Sequence, residues 1–376
     1  MEMNENTKKL IEFANRFGVK GDFDSIEVID NGHINTTFKL IFNEGGNKKE
    51  YILQKINKYV FKQPEVVMSN IIQVTNHIKQ KTSNESRTLN FSFADDGNPY
   101  VIDEYGDYWR VCEFVKNSQT FNEPNDLSII EQTGEAFGDF QGLLSDFVIN
   151  ENFQETIPNF HNTLSRYNNF RETLAKNPVN RAELVQDEIN QYSELEQIAT
   201  QMYHMQASGE LPLRVTHNDT KCNNVLFDKK TGKFLCVIDL DTVMPGLLGF
   251  DFGDAIRSIS NTAAEDEADL SKVDFDMEKF KAFAKGFLST VGDRITEKER
   301  KTLALGAITM TAECGVRFLT DYLDGDNYFK TAYPEHNLVR ARNQLKLAQL
   351  MIERKEEMDK AVESIYSVLS TSTQKL

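Results

Sequence analysis

The sequence has little cysteine, no excess of basic charge and no long apolar run. Its four cysteines, Cys112, Cys222, Cys236 and Cys314, include no C-x-x-C pair, so neither a zinc site nor a disulfide framework is indicated. Asp and Glu number 58 against 42 Lys and Arg, a formal net charge of −16. The basic footprint that nucleic acid or an anionic bilayer needs is therefore missing. Phosphate ligands remain open, because backbone amides and bound cations can hold them locally. No stretch approaches the roughly 18 uncharged apolar residues of a membrane span. The opening residues, MEMNENTKKLIEFANRF, lack the apolar core of a signal peptide. The expectation is a reduced, soluble, cytoplasmic monomer with no nucleic-acid or membrane partner.

What is there is globular: 40% apolar and 27% charged among 376 residues, enough for two domains or one fold with two lobes. Leu10, Phe13, Ala14 and Phe17 recur at helical spacing and stop at Gly18, predicting a first helix. Phe38, Leu40 and Phe42 alternate, Asn43 to Asn47 supplies a turn, and Tyr51-Ile52-Leu53 resumes the extended pattern. Pro64 suits the first position of a helix with the stripe Val67, Ile71, Val74 and Ile78. Thr88 to Phe93, Tyr100 to Ile102 and Asp107 to Val115 read as further strands. In the last, Trp109, Val111 and Glu113 face one way and Tyr108, Arg110, Cys112 and Phe114 the other. Beyond Val115, helical patterns cover about 127–147, 181–206, 275–288, 297–323 and 338–368, around one island of short strands from Leu213 to Asp241. The expected fold is α+β, with a β-rich N-terminal lobe at 1–115, a larger helical C-terminal lobe at 116–376 and a cleft between them.

The island holds His217-Asn218-Asp219-Thr220-Lys221-Cys222-Asn223-Asn224, an H-x-D-x4-N pattern, then Val237-Ile238-Asp239-Leu240-Asp241. Phosphoryl transfer to an alcohol needs the hydroxyl aimed at the γ-phosphorus and its proton received, and a loop Asp does both. It also needs a hard cation on the β- and γ-phosphates, for which a following Asn and an Asp on the next strand are oxygen ligands. Asp219, Asn224 and Asp239 have those identities in that order, and Lys221 could reach the transferring phosphate. Singly, each is as well explained by a turn or a cap. Together on a strand–loop–strand island they predict a kinase that uses ATP and Mg2+. Upstream, Asp30 to Phe38 forms a tip in which Gly32, Asn35, Thr36 and Thr37 could lie over phosphates, although it has one glycine where G-x-G-x-x-G has three. Backbone groups of Glu113 and Val115 would meet an adenine where the chain passes between lobes.

The ordered runs G-H-I-N-T-T-F, Y-I-L-Q, W-R-V, F-G-D-F-Q, T-H-N-D-T-K-x-N-N, V-I-D-L-D-T-V-M-P-G, D-F-G-D, E-C-G-V-R-F-L-T-D-Y-L and Y-P-E-H-N-L-V-R span Gly32 to about Leu347. This set resembles the bacterial N-acetylhexosamine 1-kinases of the aminoglycoside phosphotransferase-like superfamily, whose fold is related to protein kinases. The resemblance implies a two-lobed kinase-like fold and ATP- and Mg2+-dependent phosphorylation of the anomeric hydroxyl of N-acetylglucosamine or N-acetylgalactosamine. It makes Asp219 the catalytic carboxylate and Asn224 and Asp239 the metal ligands. Sugar contacts carry over to His33, Arg317 and Tyr328. From the residues alone, Arg317 could equally pair with Asp321 one helical turn away.

Two departures matter. Where many related kinases put a third-strand lysine to hold the α- and β-phosphates, this chain has Gln54, with Lys55 on the opposite face, so the phosphate-holding cation is unassigned. Asp251 and Asp254 read as structural caps of a helix beginning near Asp254, and Cys222 as a bystander facing the core. Related kinases acting on choline, homoserine or an aminoglycoside are the nearest alternatives. A choline site would need an aromatic cage, and an aminoglycoside would suit the acidic surface. A pseudokinase is the alternative from another class, but none of the three motif residues is missing.

Overall fold

The computed structural model describes residues 5–29, 34–122 and 124–373. Its N-terminal part is helix α1 (Glu5–Arg16) and an antiparallel sheet of β1 (Asp22–Ile29), β2 (Thr36–Glu44), β3 (Asn47–Lys55), β4 (Val101–Ile102) and β5 (Tyr108–Glu113), in the order β1-β2-β3-β5-β4. Gly45 and Gly46, both at positive φ, form the two-residue turn between β2 and β3, as that turn geometry requires. The strand alternation gives the sheet two working faces. Leu40, Leu53, Trp109 and Val111 pack under α1, with the Phe13 ring stacked on Trp109. Ile52 and Cys112 point the other way, toward α2 (Pro64–Lys81). Helix α2 opens on Pro64 and buries the expected stripe. Thr88 to Phe93 is not a full strand: one isolated bridge, Phe91 to Cys112, joins it to β5.

The strand island divides in two. A three-stranded sheet joins β6 (Ser118–Gln119), β8 (Val225–Asp228) and β9 (Phe234–Val237), while β7 (Arg214–Thr216) pairs with β10 (Met244–Gly246). Around them lie α3 (Leu127–Leu143), α4 (Thr163–Lys176), α5 (Gln186–Ala199), α6 (Gln201–Ala207), α7 (Leu248–Ile259), α8 (Met277–Val291), α9 (Glu297–Lys301), α10 (Leu303–Asp324), α11 (His336–Glu353) and α12 (Lys355–Thr373). The fold is thus α+β, a small antiparallel sheet followed by a larger helical part.

Three long helical patterns are broken, the 181–206 one at both Val185 and Thr200, and α4 had no sequence-based counterpart. Thr200 and Thr302 turn their hydroxyls onto the carbonyls of Glu196 and Lys298, local bonds that compete with helix continuation. In the third pattern, Arg354 reaches the carbonyl of Phe275. Helix α10 is long and apolar enough to cross a membrane, but 89% of its apolar window is buried inside the protein, where it packs against α4, α7 and α11. All four cysteines are free thiols.

Candidate active site

The loop after β7 is held from beneath. His217 is fully buried, with Phe137 and Phe140 of α3 edge-on to its ring. Its Nε2 lies 2.8 Å from the carbonyl of Ile238 and its Nδ1 accepts the N–H of Asp219 at 3.3 Å. Asn218 sits in the left-handed region at φ 66°, and its amide donates to the carbonyls of Thr216 and Thr242. Asp219 is then tied at both oxygens: Asn224 Nδ2 donates to Oδ2 at 3.0 Å, and Lys221 Nζ is 2.8 Å from Oδ1. The neighbouring carboxylate raises the Lys221 amine above its ordinary value. Cys222 is buried against Thr133.

Helix α7 begins at Leu248, so Asp251 and Asp254 do not cap it. They stand one turn apart inside it, and their carboxylates accept from the catalytic loop. Asp251 takes the N–H groups of His217 and Asn218 at 2.9 and 2.8 Å and the amide of Gln141, while Asp254 takes the N–H of Thr220 at 2.9 Å. Burial pushes the Asp251 carboxyl up against these bonds. Burial acts on Asp254 too, but Arg257 and Lys221 outweigh it and hold the carboxyl below its usual value. The i, i+3 spacing of the two acids was the available signal.

Asp239 follows β9 at φ 59°, a strained setting for a non-glycine residue and one that clusters at functional sites. The N–H of Ile238 donates to the carbonyl of Asn224 at 2.9 Å, which sets Asn224 opposite the end of the strand that carries Asp239. Burial, then the charges of Asp241 and Asp219, pushes the Asp239 carboxyl up to about 6. No cluster of three or more His, Cys, Asp or Glu side chains suited to a metal occurs among the described residues. Two oxygen donors with the charges of Asp241 and Asp219 beside them fit Mg2+, which completes its shell with water and phosphate rather than with a protein cage.

On the sheet side, Gly32 and His33 lie outside the described residues. Asn35 reaches across to Asp241, its Nδ2 donating to Oδ2 at 2.5 Å, and its own Oδ1 accepts the N–H of Asn57. Thr37 accepts from Gln54 at 3.1 Å on the cleft face. Thr36 is exposed and paired with Lys55, so strand alternation turns its side chain to the other face. The N–H of Glu113 is taken by Asn90 and the carbonyl of Val115 by Ser118. The N–H of Val115 has no backbone partner among the described residues, a donor suited to an adenine edge. The residue that motif reasoning passed over is Arg110, whose guanidinium forms a buried ion pair with Asp241. Its face alternation, shared with Cys112 and opposite to Trp109, was the signal.

Arg317, on α10, has no ion pair among the described residues. The rings of Phe160, Tyr328 and Phe329 lie 5.5 to 5.9 Å from its guanidinium. Asp321 is otherwise engaged: its oxygens accept the N–H groups of Tyr328 and Phe329 and the amide of Asn337, which brings Tyr328 under Arg317. One turn before Arg317, Glu313 accepts from His161, whose other nitrogen is 3.4 Å from the carbonyl of Asn218. The Arg317 end of α10 is thereby linked to the catalytic loop. Burial, and then the charge of Arg317, lowers the pKa of Arg166. Phe160 and His161 also line a cavity of about 210 Å3 that reaches Asn218, Met244 and Phe250. No sequence motif marked Phe160, His161 or Arg166.

A small antiparallel sheet above a loop with a tethered Asp–Asn pair, next to a second Asp at the end of a strand, defines a protein-kinase-like phosphotransferase. The chain belongs to the APH family, the phosphotransferase enzyme family, whose sequence profile matches residues 25–283, and it is a small-molecule phosphotransferase of that family. The microcompartment-associated aminopropanol kinase superposes with a TM-score of 0.62 at 13% identity, over 94% of this chain and 98% of that one. An aminoglycoside phosphotransferase from Alicyclobacillus acidocaldarius gives 0.57 at 11% identity, over 100% and 98%. A choline kinase from Cryptosporidium parvum gives 0.54 at 15%, over 90% and 92%. At these identities the likeness is one of fold.

Proposed function

We propose that the protein is an ATP- and Mg2+-dependent kinase that phosphorylates the anomeric 1-hydroxyl of N-acetylhexosamines, N-acetylglucosamine or N-acetylgalactosamine. Residues 1–115 form the nucleotide lobe, with the Gly32 tip, Asn35 and Thr37 at the phosphate end and Glu113 and Val115 at the adenine. Residues 116–376 carry the catalytic loop and the sugar site. Asp219 receives the hydrogen of the sugar hydroxyl and aims its oxygen at the γ-phosphorus. Asn224 fixes the Asp219 rotamer, and Lys221 presents its charge to the transferring group. Asn224 and Asp239 would hold Mg2+, which neutralises charge on the β- and γ-phosphates. Transfer is direct and in line, without a phospho-enzyme.

The observation that favours a sugar over a cationic acceptor is Arg317, a guanidinium with no ion pair among the described residues and with Arg166 beside it, although Glu313 lies one turn away and its charge reaches both. Choline, an amino alcohol or an aminoglycoside would bring positive charge toward two arginines. A neutral sugar with an acetamido carbonyl and several hydroxyls supplies acceptors to a rigid fork of donors, and Tyr328 offers it a ring face. His33 is the third proposed sugar contact.

The test is to incubate the purified protein with MgATP and a panel of N-acetylhexosamines, other hexoses, choline, homoserine and aminoglycosides, following ADP release. The phosphorylated oxygen is then located by NMR. Phosphate on O1 of an N-acetylhexosamine is expected; turnover confined to the cationic acceptors would overturn the sugar assignment.

A further inference from the structure

We propose that Arg110 is the cation that grips the α- and β-phosphates of the nucleotide, an inference that rests on the kinase function proposed above. The position that related kinases give to a third-strand lysine holds Gln54 here, and the nearby lysines are otherwise placed. Lys55 and Lys58 both pair with Asp107, and Lys55 lies on the far face of β3 over the Trp109 ring. Lys39 is paired with Glu50 and stacked on Phe114, at the hinge end of the sheet.

Arg110 stands directly across from Gln54 in the β3–β5 register and is 3% exposed. Its side chain is held at two points. The Nε donates to Gln54 Oε1 at 3.0 Å, and Nη1 donates to Asp241 Oδ1. Gln54 is in turn fixed by its donation to Thr37, and the other oxygen of Asp241 by Asn35. This chain of contacts runs from the tip strand to the turn that carries Asp239, so the guanidinium stands at the metal end of the cleft. Its Nη2 has no hydrogen-bond partner among the described residues.

Burying a guanidinium this deeply is expensive unless its donors are used. Nε and Nη1 are committed to orientation, Nη1 also facing the Met68 sulfur, and Nη2 keeps its N–H groups for phosphate oxygens. Charge balance argues the same way. Asp219, Asp239 and Asp241 bring three carboxylates to a place where a polyphosphate must also sit, against Arg110 and Lys221 among the described residues. Because the fork can keep Asp241 on one nitrogen and offer the other to phosphate, binding need not break the buried ion pair. A lysine on β3 would have no such anchor here, since Gln54 and Thr37 already close that position.

The experiment measures the affinities of adenosine, AMP and MgADP for the wild type, for Arg110→Lys and for Arg110→Met combined with Asp241→Asn, the last removing both halves of the ion pair. In the wild type, affinity should rise as phosphates are added. In the double variant adenosine should bind as before, while the gain from the phosphates falls roughly ten- to hundredfold, the worth of a charge-assisted contact. Arg110→Lys retains a charge for Asp241 and should fold even if the double variant does not; its phosphate gain should fall severalfold. An unchanged phosphate gain in a variant that melts cooperatively overturns the inference. So does an equal loss for all three ligands, which would make Arg110 a strut between the sheet and the Asp241 turn. A wild type that binds no adenine nucleotide would instead sink the kinase function itself, a distinguishable result.

Discussion

The Asp251 carboxylate accepts the backbone N–H groups of His217 and Asn218 at 2.9 and 2.8 Å. A side chain in the first turns of α7 therefore sets the path of the catalytic loop more than thirty positions earlier in the chain. Asp251→Ala should leave two buried backbone amides unsatisfied, with Gln141 keeping only its bond to the Val215 carbonyl, lowering stability by about 3 kcal/mol. Denaturant unfolding would measure this, and a loss below about 0.5 kcal/mol would show that the loop holds its shape without α7.

Asp219 is positioned by Asn224 and Lys221 rather than buried by them. Asp219→Asn keeps the volume and removes the proton acceptor, so kcat should drop at least about a hundredfold while the affinity for nucleotide changes little. Near-wild-type turnover would remove Asp219 from the chemical step.

Arg317→Ala should raise KM for the acceptor about ten- to hundredfold and leave KM for ATP alone, because Arg317 contacts aromatic rings on α10's side of the catalytic loop and no described residue of the sheet. A matching rise in both constants would indicate a damaged fold.

If Asp239 holds the cation as proposed, binding there should depend on pH. Its carboxyl rises from 3.8 to about 6 on folding, chiefly through burial. A carboxyl raised in this way contributes stability that is complete below its unfolded value and is lost as pH climbs through about 6. A bound cation offsets that loss by neutralising the ionised form. The Tm increase given by Mg2+ with ADP should therefore be larger at pH 7.5 than at pH 5.5, and Asp239→Asn should flatten the difference. Equal increases at both pH values in the wild type would exclude Asp239 as a ligand.

Much of this was legible in the order of residues. Strand alternation in Phe38-Lys39-Leu40-Ile41-Phe42 and the Gly45-Gly46 turn specify a hairpin with a fixed register, because a slip by one residue would turn its core side chains to solvent. The H-x-D-x4-N spacing suffices to bring Asn224 to Asp219, since a short 3-10 turn at Cys222–Asn224 folds back locally. Helix breaks were less legible: Thr200 and Thr302 lie within continuous apolar periodicity, and a threonine hydroxyl can serve a helix interior or end one. Asp251 and Asp254 are structural, as expected, but they brace the loop instead of capping α7, because the helix starts six residues earlier than Asp254.

By itself, the sequence determined the local pieces: which strands pair through tight turns, which face of each is apolar, and which loop carries an acid beside an amide. Only the tertiary structure decided which distant charges meet. The pairing of Arg110 with Asp241, the two amides gathered by Asp251, and Arg317 among three rings without its i+4 acid all depend on how sheet and helices pack. Long-range contacts of this kind leave no period in the chain, because the sequence separation between partners is set by intervening folded elements and not by any backbone repeat.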